Sequence, residues 1–335
     1  MKISPTGSSA VLLLCLSFST PIVFAQSQDK KAPTSPSATP PNDASRSALA
    51  LQVALDRAGF SPGEIDGAAG KNTGRAKQAF ESGKIAPSDE GKAGLDALAD
   101  PLTTYTITAE DAVGPFIGAL PDDMMEKSKL PALGYATIQE LLAERFHASP
   151  KLLERLNPGA AFAAGDTITV PNVEPFRLPA PKPATSKPAA GAAAKSAPKP
   201  AVTVTVTDST KTLQVHNAAG QLIFHAPVTV GSQNDPLPVG EWKVNGVSEH
   251  PPFNYNPDLF WDADPSHAKA KIAPGPNNPV GVVWIDLSKE HYGIHGTPEP
   301  SRIGYTESHG CIRLTNWDAM RLAALVGPGT KVVLQ

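Results

Sequence analysis

Cys311 is preceded at two places by a histidine: His309 two residues upstream, and His295 at the end of the short apolar run Tyr292-Gly-Ile-His295. A thiol attacks only as thiolate, and at an ordinary pKa of ~8.5 little thiolate exists at neutral pH. An imidazole titrating nearer neutrality is the usual proton acceptor. His295, ending an apolar strand, would be held still by its backbone. Gly310 has no β-carbon, so the N–H groups of Gly310 and Cys311 could converge on one point, as a tetrahedral oxyanion requires. His309 is the rival base. On an extended chain residues two apart share a face and neighbours do not, so residue types alone leave the two histidines in competition. The bland alternative is a buried structural cysteine, a common fate of a free thiol.

Further residues could handle a substrate. Arg313 could grip a carboxylate with two parallel hydrogen bonds, or could equally form a structural ion pair. His309, Ser308, Gly296 and Tyr255 complete the expected substrate-binding set, with Ser308 also suited to tying the loop and Gly296 and Gly310 to close backbone approach. Thiolate plus imidazoles could instead ligate zinc. His216, His225, His250, His267 and His291 show no metal-ligand spacing, so neither metal nor cofactor is expected.

Period-two alternation from Val202 onward supplies the frame for these residues. Val202–Val206, Thr212–Val215, Leu222–Val230, Trp242–Val244, Val282–Leu287 and Lys331–Leu334 are strand candidates. One helix interrupts them, with Asn316 as its expected cap and Trp317, Met320 and Ala324 facing inward. These predict a mainly-β, mostly antiparallel sandwich or barrel with one packed helix. The long Pro- and Asn-rich loop Glu249–Gly281, carrying Tyr255, Phe260 and Trp261, is expected to wall the cleft.

The strings His295-Gly-Thr-Pro298 and Ser308-His-Gly-Cys-Ile-Arg-Leu-Thr-Asn316 resemble the signature of the L,D-transpeptidases of YkuD type, which cross-link peptidoglycan. The resemblance extends through Pro274–Gly281 and Trp284–Leu287, and covers about the last 130 residues. It implies Cys311 as nucleophile and His295 as base. It also implies a thioester formed on a stem tetrapeptide with release of the terminal D-alanine. The acceptor would be a neighbouring stem amine or a lysine of a wall-anchored lipoprotein; with water the enzyme would be a carboxypeptidase.

The rest of the chain contrasts with this region. It has 335 residues and a net charge of −3, with no basic excess to suggest a nucleic-acid partner. Residues 1–25 resemble a signal peptide: Lys2, an apolar Val11–Phe18, and Val23-Phe-Ala25 for cleavage. Cys15 would leave with it, making Cys311 the only thiol of a periplasmic, wall-associated protein without a membrane-spanning segment. Residues 26–44 are expected to form a disordered tether. Residues 45–100 resemble a three-helix peptidoglycan-binding domain through Ile65-Asp-Gly67 and Asn72-Thr73, with Asp66 as turn former, Thr73 as cap, and a third helix near 94–99. Residues 102–174 resemble a glycan-binding LysM domain, strand–helix–helix–strand, with Leu156-Asn-Pro-Gly159, Gly165–Pro171 and an unusual insertion from Asp111 to Ala136. Residues 175–201 are a Pro/Ala/Lys spacer, expected to hold the wall-binding modules away from the chemistry. The catalytic domain would occupy 202–335. The competing readings are a non-catalytic wall-binding scaffold and a general thiol protease.

Overall fold

The computed structural model describes residues 43–83, 100–178 and 201–335. The expected signal peptide, third helix near 94–99 and most of the tether and of the Pro/Ala/Lys spacer lie outside these; the last two tether residues, 43 and 44, begin the first helix.

Alternation decides the C-terminal half. In β3 (Val202–Thr207) every valine is buried and every threonine half-exposed, so one face turns to the core. β3 joins β4 (Thr212–Asn217), β5 (Leu222–Pro227), β6 (Gly240–Glu249), β9 (Val283–Leu287), β10 (Gly293–His295), β11 (Ile312–Arg313) and β12 (Lys331–Leu334). They form one mixed sheet in the order β11-β10-β9-β6-β12-β3-β4-β5. The expected mainly-β sandwich or barrel is built as one continuous, curled sheet. β6 is the reason: it pairs with β12 through Gly240–Lys243 and with β9 through Val244–Glu249, with a register shift just past the change of partner, between Val244 and Gly246. Bulges bend a strand in this way and let it serve two halves of a sheet. The helix Asn316–Leu325 buries Trp317, Ala319, Leu322 and Ala323 against this core. Its cap is Thr315, whose hydroxyl accepts the Asp318 N–H at 3.2 Å, and not Asn316. The amide of Asn316 is engaged elsewhere.

Before the sheet come α1 (Asp43–Arg57) and α2 (Lys71–Ser82). Between them the side chain of Gln52 holds the turn, accepting from the N–H groups of Asp66 and Gly67 and donating to Asp66, Ala68 and Thr73. Asp66 forms the turn as expected from its type, accepting the Ala68 N–H. Thr73 is not a cap; Gly70 occupies that position. β1 (Leu102–Thr106) pairs antiparallel with β2 (Thr167–Pro171) across helices Ile138–Arg145 and Pro150–Leu156. Thr137 and Ser149 cap these helices through their side chains. Leu49, Val53 and Ile65 share one core with Ile107, Leu142, Phe146 and Ile168, so the two N-terminal segments pack as one body.

That body lies directly on the sheet. Gly59 and Ser61 bond to the backbone of His225, covering the β5 edge that would otherwise present unpaired groups. Ser61 donates to Asp318, Asn72 to the carbonyl of Ile303, and Arg321 to Asp56 with two bonds of 3.0 and 2.8 Å. The insertion carries helices Ala109–Val113 and Met124–Lys127, and packs on the long loop with its hairpin β7 (Phe253–Tyr255) and β8 (Ala270–Ile272). Leu133 donates to Pro274 and accepts from Asn277. The expected separation of modules from the catalytic half is thus replaced by a packed contact, because buried polar partners are supplied from both sides.

Candidate active site

Three neighbouring strands bring the reactive side chains together. β10 runs parallel to β11 with Ile294 opposite Ile312 and His295 opposite Arg313. Cys311 precedes Arg313 by two, so Cys311, Arg313 and His295 share one face of the sheet. Arg313 is pinned on its other side by backbone bonds with Thr229. This face floors a cleft of about 940 Å³ lined by Cys311, His295, Arg313, His309, Tyr255 and Tyr292, among others.

His295 is 3% exposed, and its Nδ1 bonds the carbonyl of Gly296 at 2.7 Å. A carbonyl can only accept, so the proton sits on Nδ1 and Nε2 keeps its lone pair. Burial, with the charge of Arg313 adding to it, pushes the imidazole down to about 3, against the Gly296 bond. Cys311 is half-buried; burial pushes its thiol up, while the Gly293 N–H and the Arg313 charge pull it down. The thiol donates to the carbonyl of His291 at 3.8 Å. Burial thus favours a neutral thiol and a neutral imidazole at this site.

Gly310 has φ +101°, a conformation side chains rarely adopt, and a β-carbon there would lie 2.5 Å from the Tyr292 hydroxyl. Among the described residues neither the Gly310 nor the Cys311 N–H is taken by a backbone carbonyl. Arg313 has no ion-pair partner among the described residues, and its buried Nε has no hydrogen bond. Burial lowers its pKa. Its guanidinium is thus left for whatever enters the cleft.

The other expected residues divide. His309 lines the cleft, with Nε2 on Asp262 at 2.7 Å and its ring against Phe260, tying the cysteine loop to the long loop. Tyr255 also lines it, its hydroxyl on His267 Nδ1 at 2.9 Å and His267 Nε2 on Asp123 at 2.7 Å. Asp123 belongs to the insertion, so the N-terminal half builds part of the cleft wall. Ser308 and Gly296 do not line it. Ser308 is 4% exposed and its hydroxyl is committed to the carbonyl of Cys311 at 2.7 Å. Gly296 lies where a β-carbon would overlap the Asn316 amide oxygen.

Sequence reasoning missed four residues. Trp284, opposite His295 in β9, stacks on its imidazole with centroids 5.5 Å apart and planes 18° apart. Gly293 leaves room for that indole, which a β-carbon would strike. Tyr292 reaches over Gly310 and bonds the carbonyl of Pro236 at 3.2 Å. His291, at φ +62°, turns its carbonyl toward the thiol. The signal available was the Glu290-His-Tyr-Gly293 turn between two strands. Among the described residues no three His, Cys, Asp or Glu side chains converge to hold a metal, and no helix is long and apolar enough to cross a membrane.

Residues 201–334 match the family model of the L,D-transpeptidase catalytic domain, YkuD. The chain is 28% identical over 196 residues to the candidate L,D-transpeptidase YkuD of Bacillus subtilis, covering 58% of this chain and 90% of that protein. It is 54% identical over 59 residues to the candidate enzyme of the same name from Bacillus licheniformis, covering 18% of this chain and 36% of that one. Among solved structures, L,D-transpeptidase 3 of Mycobacterium tuberculosis is similar at 19% identity and a TM-score of 0.34, covering 41% of this chain and 61% of that chain. The chain thus spans less than two thirds of that solved relative.

Proposed function

We propose that this chain, whose residues 201–334 are an L,D-transpeptidase catalytic domain, is an exported enzyme acting on peptidoglycan stem tetrapeptides through a thioester on Cys311. The observation that carries the reading is the arrangement of Cys311, His295 and the unpaired Arg313 on one face at the floor of the cleft. His295 Nε2 takes the thiol proton as sulfur attacks the carbonyl joining the third stem residue to the terminal D-alanine. The C–N bond then breaks, and His295 returns the proton to the departing amine. The N–H groups of Gly310 and Cys311 hold the oxyanion, and Arg313 holds a substrate carboxylate. A stem amine, or a lysine of a wall-anchored lipoprotein, attacks the thioester, loses its proton to His295, and restores the thiol. Splitting one difficult substitution into two is what the covalent step achieves. His309 ties the loop, since its Nε2 is already engaged with Asp262. The N-terminal halves resembling peptidoglycan-binding and LysM modules would hold the enzyme on wall glycan in the periplasm.

Incubation with a disaccharide-tetrapeptide tests this. Release of D-alanine with a dimeric product is expected. Release without dimer identifies water as the acceptor, and no release leaves a wall-binding scaffold.

A further inference from the structure

Glu144 lies outside the matched catalytic domain, on the helix Ile138–Arg145, and is 7% exposed. A carboxyl is costly to bury without partners, and this one has two. Its Oε1 accepts from Asn316 Nδ2 at 3.1 Å and from the Tyr135 hydroxyl at 3.2 Å, and its Oε2 lies 3.3 Å from the same Nδ2. Burial pushes the carboxyl up to about 8, with Glu140 adding to this and the Asn316 and Tyr135 bonds opposing it. Burial therefore favours the uncharged form of this carboxyl.

Asn316 is fully buried and spends its whole amide. Nδ2 also donates to the carbonyl of Pro276 at 3.1 Å, and Oδ1 accepts the Val282 N–H at 3.2 Å. That oxygen fills the space where a β-carbon would stand on either Gly281 or Gly296, so the amide is wedged against both backbones. The Gly296 carbonyl is the group that holds His295 Nδ1. Glu144, Asn316, Gly296 and His295 thus form one unbroken contact chain, running from the N-terminal half to the imidazole.

We infer that Glu144 is a positioning residue for His295, supplied to the catalytic domain by the N-terminal half. It clamps the Asn316 amide, which sets the Gly296 carbonyl and through it the ring orientation and tautomer. The inference rests on the reading of His295 as base. A shift of ~1 Å in a positioned group can lower a rate ~100-fold, and without Glu144 the Asn316 amide is held only by the Pro276 carbonyl and the Val282 N–H.

The test compares Glu144→Leu, which keeps volume but removes the acceptor, with Glu144→Gln, which keeps one. Tetrapeptide turnover is measured alongside the His295 ring tautomer by nitrogen-15 NMR. Glu144→Leu should lower kcat about 10- to 100-fold with KM within about twofold, and should mix the His295 tautomers. Glu144→Gln should stay within about threefold of the parent and keep the Nδ1–H form. If the leucine variant does not fold, Glu144→Asp, which withdraws the carboxyl by one methylene, should show the same loss and mixing. Unchanged kcat in the leucine or aspartate variant overturns the inference, as does a lost rate with an unshifted tautomer. His295→Ala is the separate control: if it turns over normally, the base assignment itself fails, whatever Glu144 does.

Discussion

Asp56→Ala is the most informative perturbation of the packed architecture. Asp56 is fully buried at the end of α1, where it receives both Nη atoms of Arg321 at 3.0 and 2.8 Å and the His147 Nδ1 at 3.1 Å. Burial alone would raise its pKa, but Arg321 and His147 outweigh that and hold it well below the usual carboxylate range. Removing one partner of a buried charge pair costs about 3–5 kcal/mol, most of it from the charge left behind. Arg321 would keep Asp318 at 3.8 Å and is 26% exposed, so water and a second carboxylate soften the loss toward about 3 kcal/mol. At ~2–4 °C per kcal/mol for a body of this size, the thermal midpoint should fall by about 6–12 °C. The assay is urea and thermal unfolding of the parent, Asp56→Ala, Arg321→Ala and the double variant. The double variant should be less destabilised than the sum of the singles, because removing both partners leaves no orphan charge. A loss under about 1 kcal/mol with additive singles would refute the contact between α1 and the helix Asn316–Leu325.

Other outcomes follow from the same geometry. His295 has its folded pKa pushed down to about 3. Between about pH 6.5 and 3 the unfolded chain therefore takes up a proton that the folded one refuses, and stability should be lost as pH falls through that window; His295→Gln should flatten this limb in urea titrations from pH 7 to 3. Gly310→Ala places a β-carbon 2.5 Å from the Tyr292 hydroxyl at φ +101°, so turnover should drop at least about 10-fold, with partial recovery when Tyr292→Phe is added. Removing residues 43–178 should abolish turnover of even a small soluble tetrapeptide. The cut removes Glu144 and the Asp123 wall and uncovers the β5 edge; retained turnover within about threefold would instead restore the picture of tethered, independent modules.

Much of the sheet was legible because its signal is local. Alternating Val and Thr in β3 name both the strand and its buried face, and β9 and β12 follow the same rule. The Cys311 loop and His295 could be singled out because their residue types are rare together and each sits at a strand end. What escaped depends on register between distant strands: Trp284 meets His295 only because β9 and β10 pair at that offset. Thr315 and Asn316 are both good caps by type, and the choice was settled by a glutamate 172 residues away that recruits the asparagine. Pro/Ala/Lys composition suggested modules held apart, but composition carries no record of Asp56 meeting Arg321 or of Ser61 meeting Asp318. Ser308 suited both a substrate contact and a loop tie by type, and its hydroxyl ties the loop through the carbonyl of Cys311.

The central claim is a thioester on Cys311, and intact-protein mass spectrometry during turnover of a disaccharide-tetrapeptide tests it most directly. With the stem amine of that donor chemically blocked, so that no amine acceptor is present, the protein should gain the mass of the blocked donor less D-alanine. Peptide mapping should place the adduct on Cys311, hydroxylamine should remove it, and Cys311→Ala should show neither adduct nor D-alanine release. Turnover by that variant, or an adduct mapped to any other residue, would contradict the mechanism.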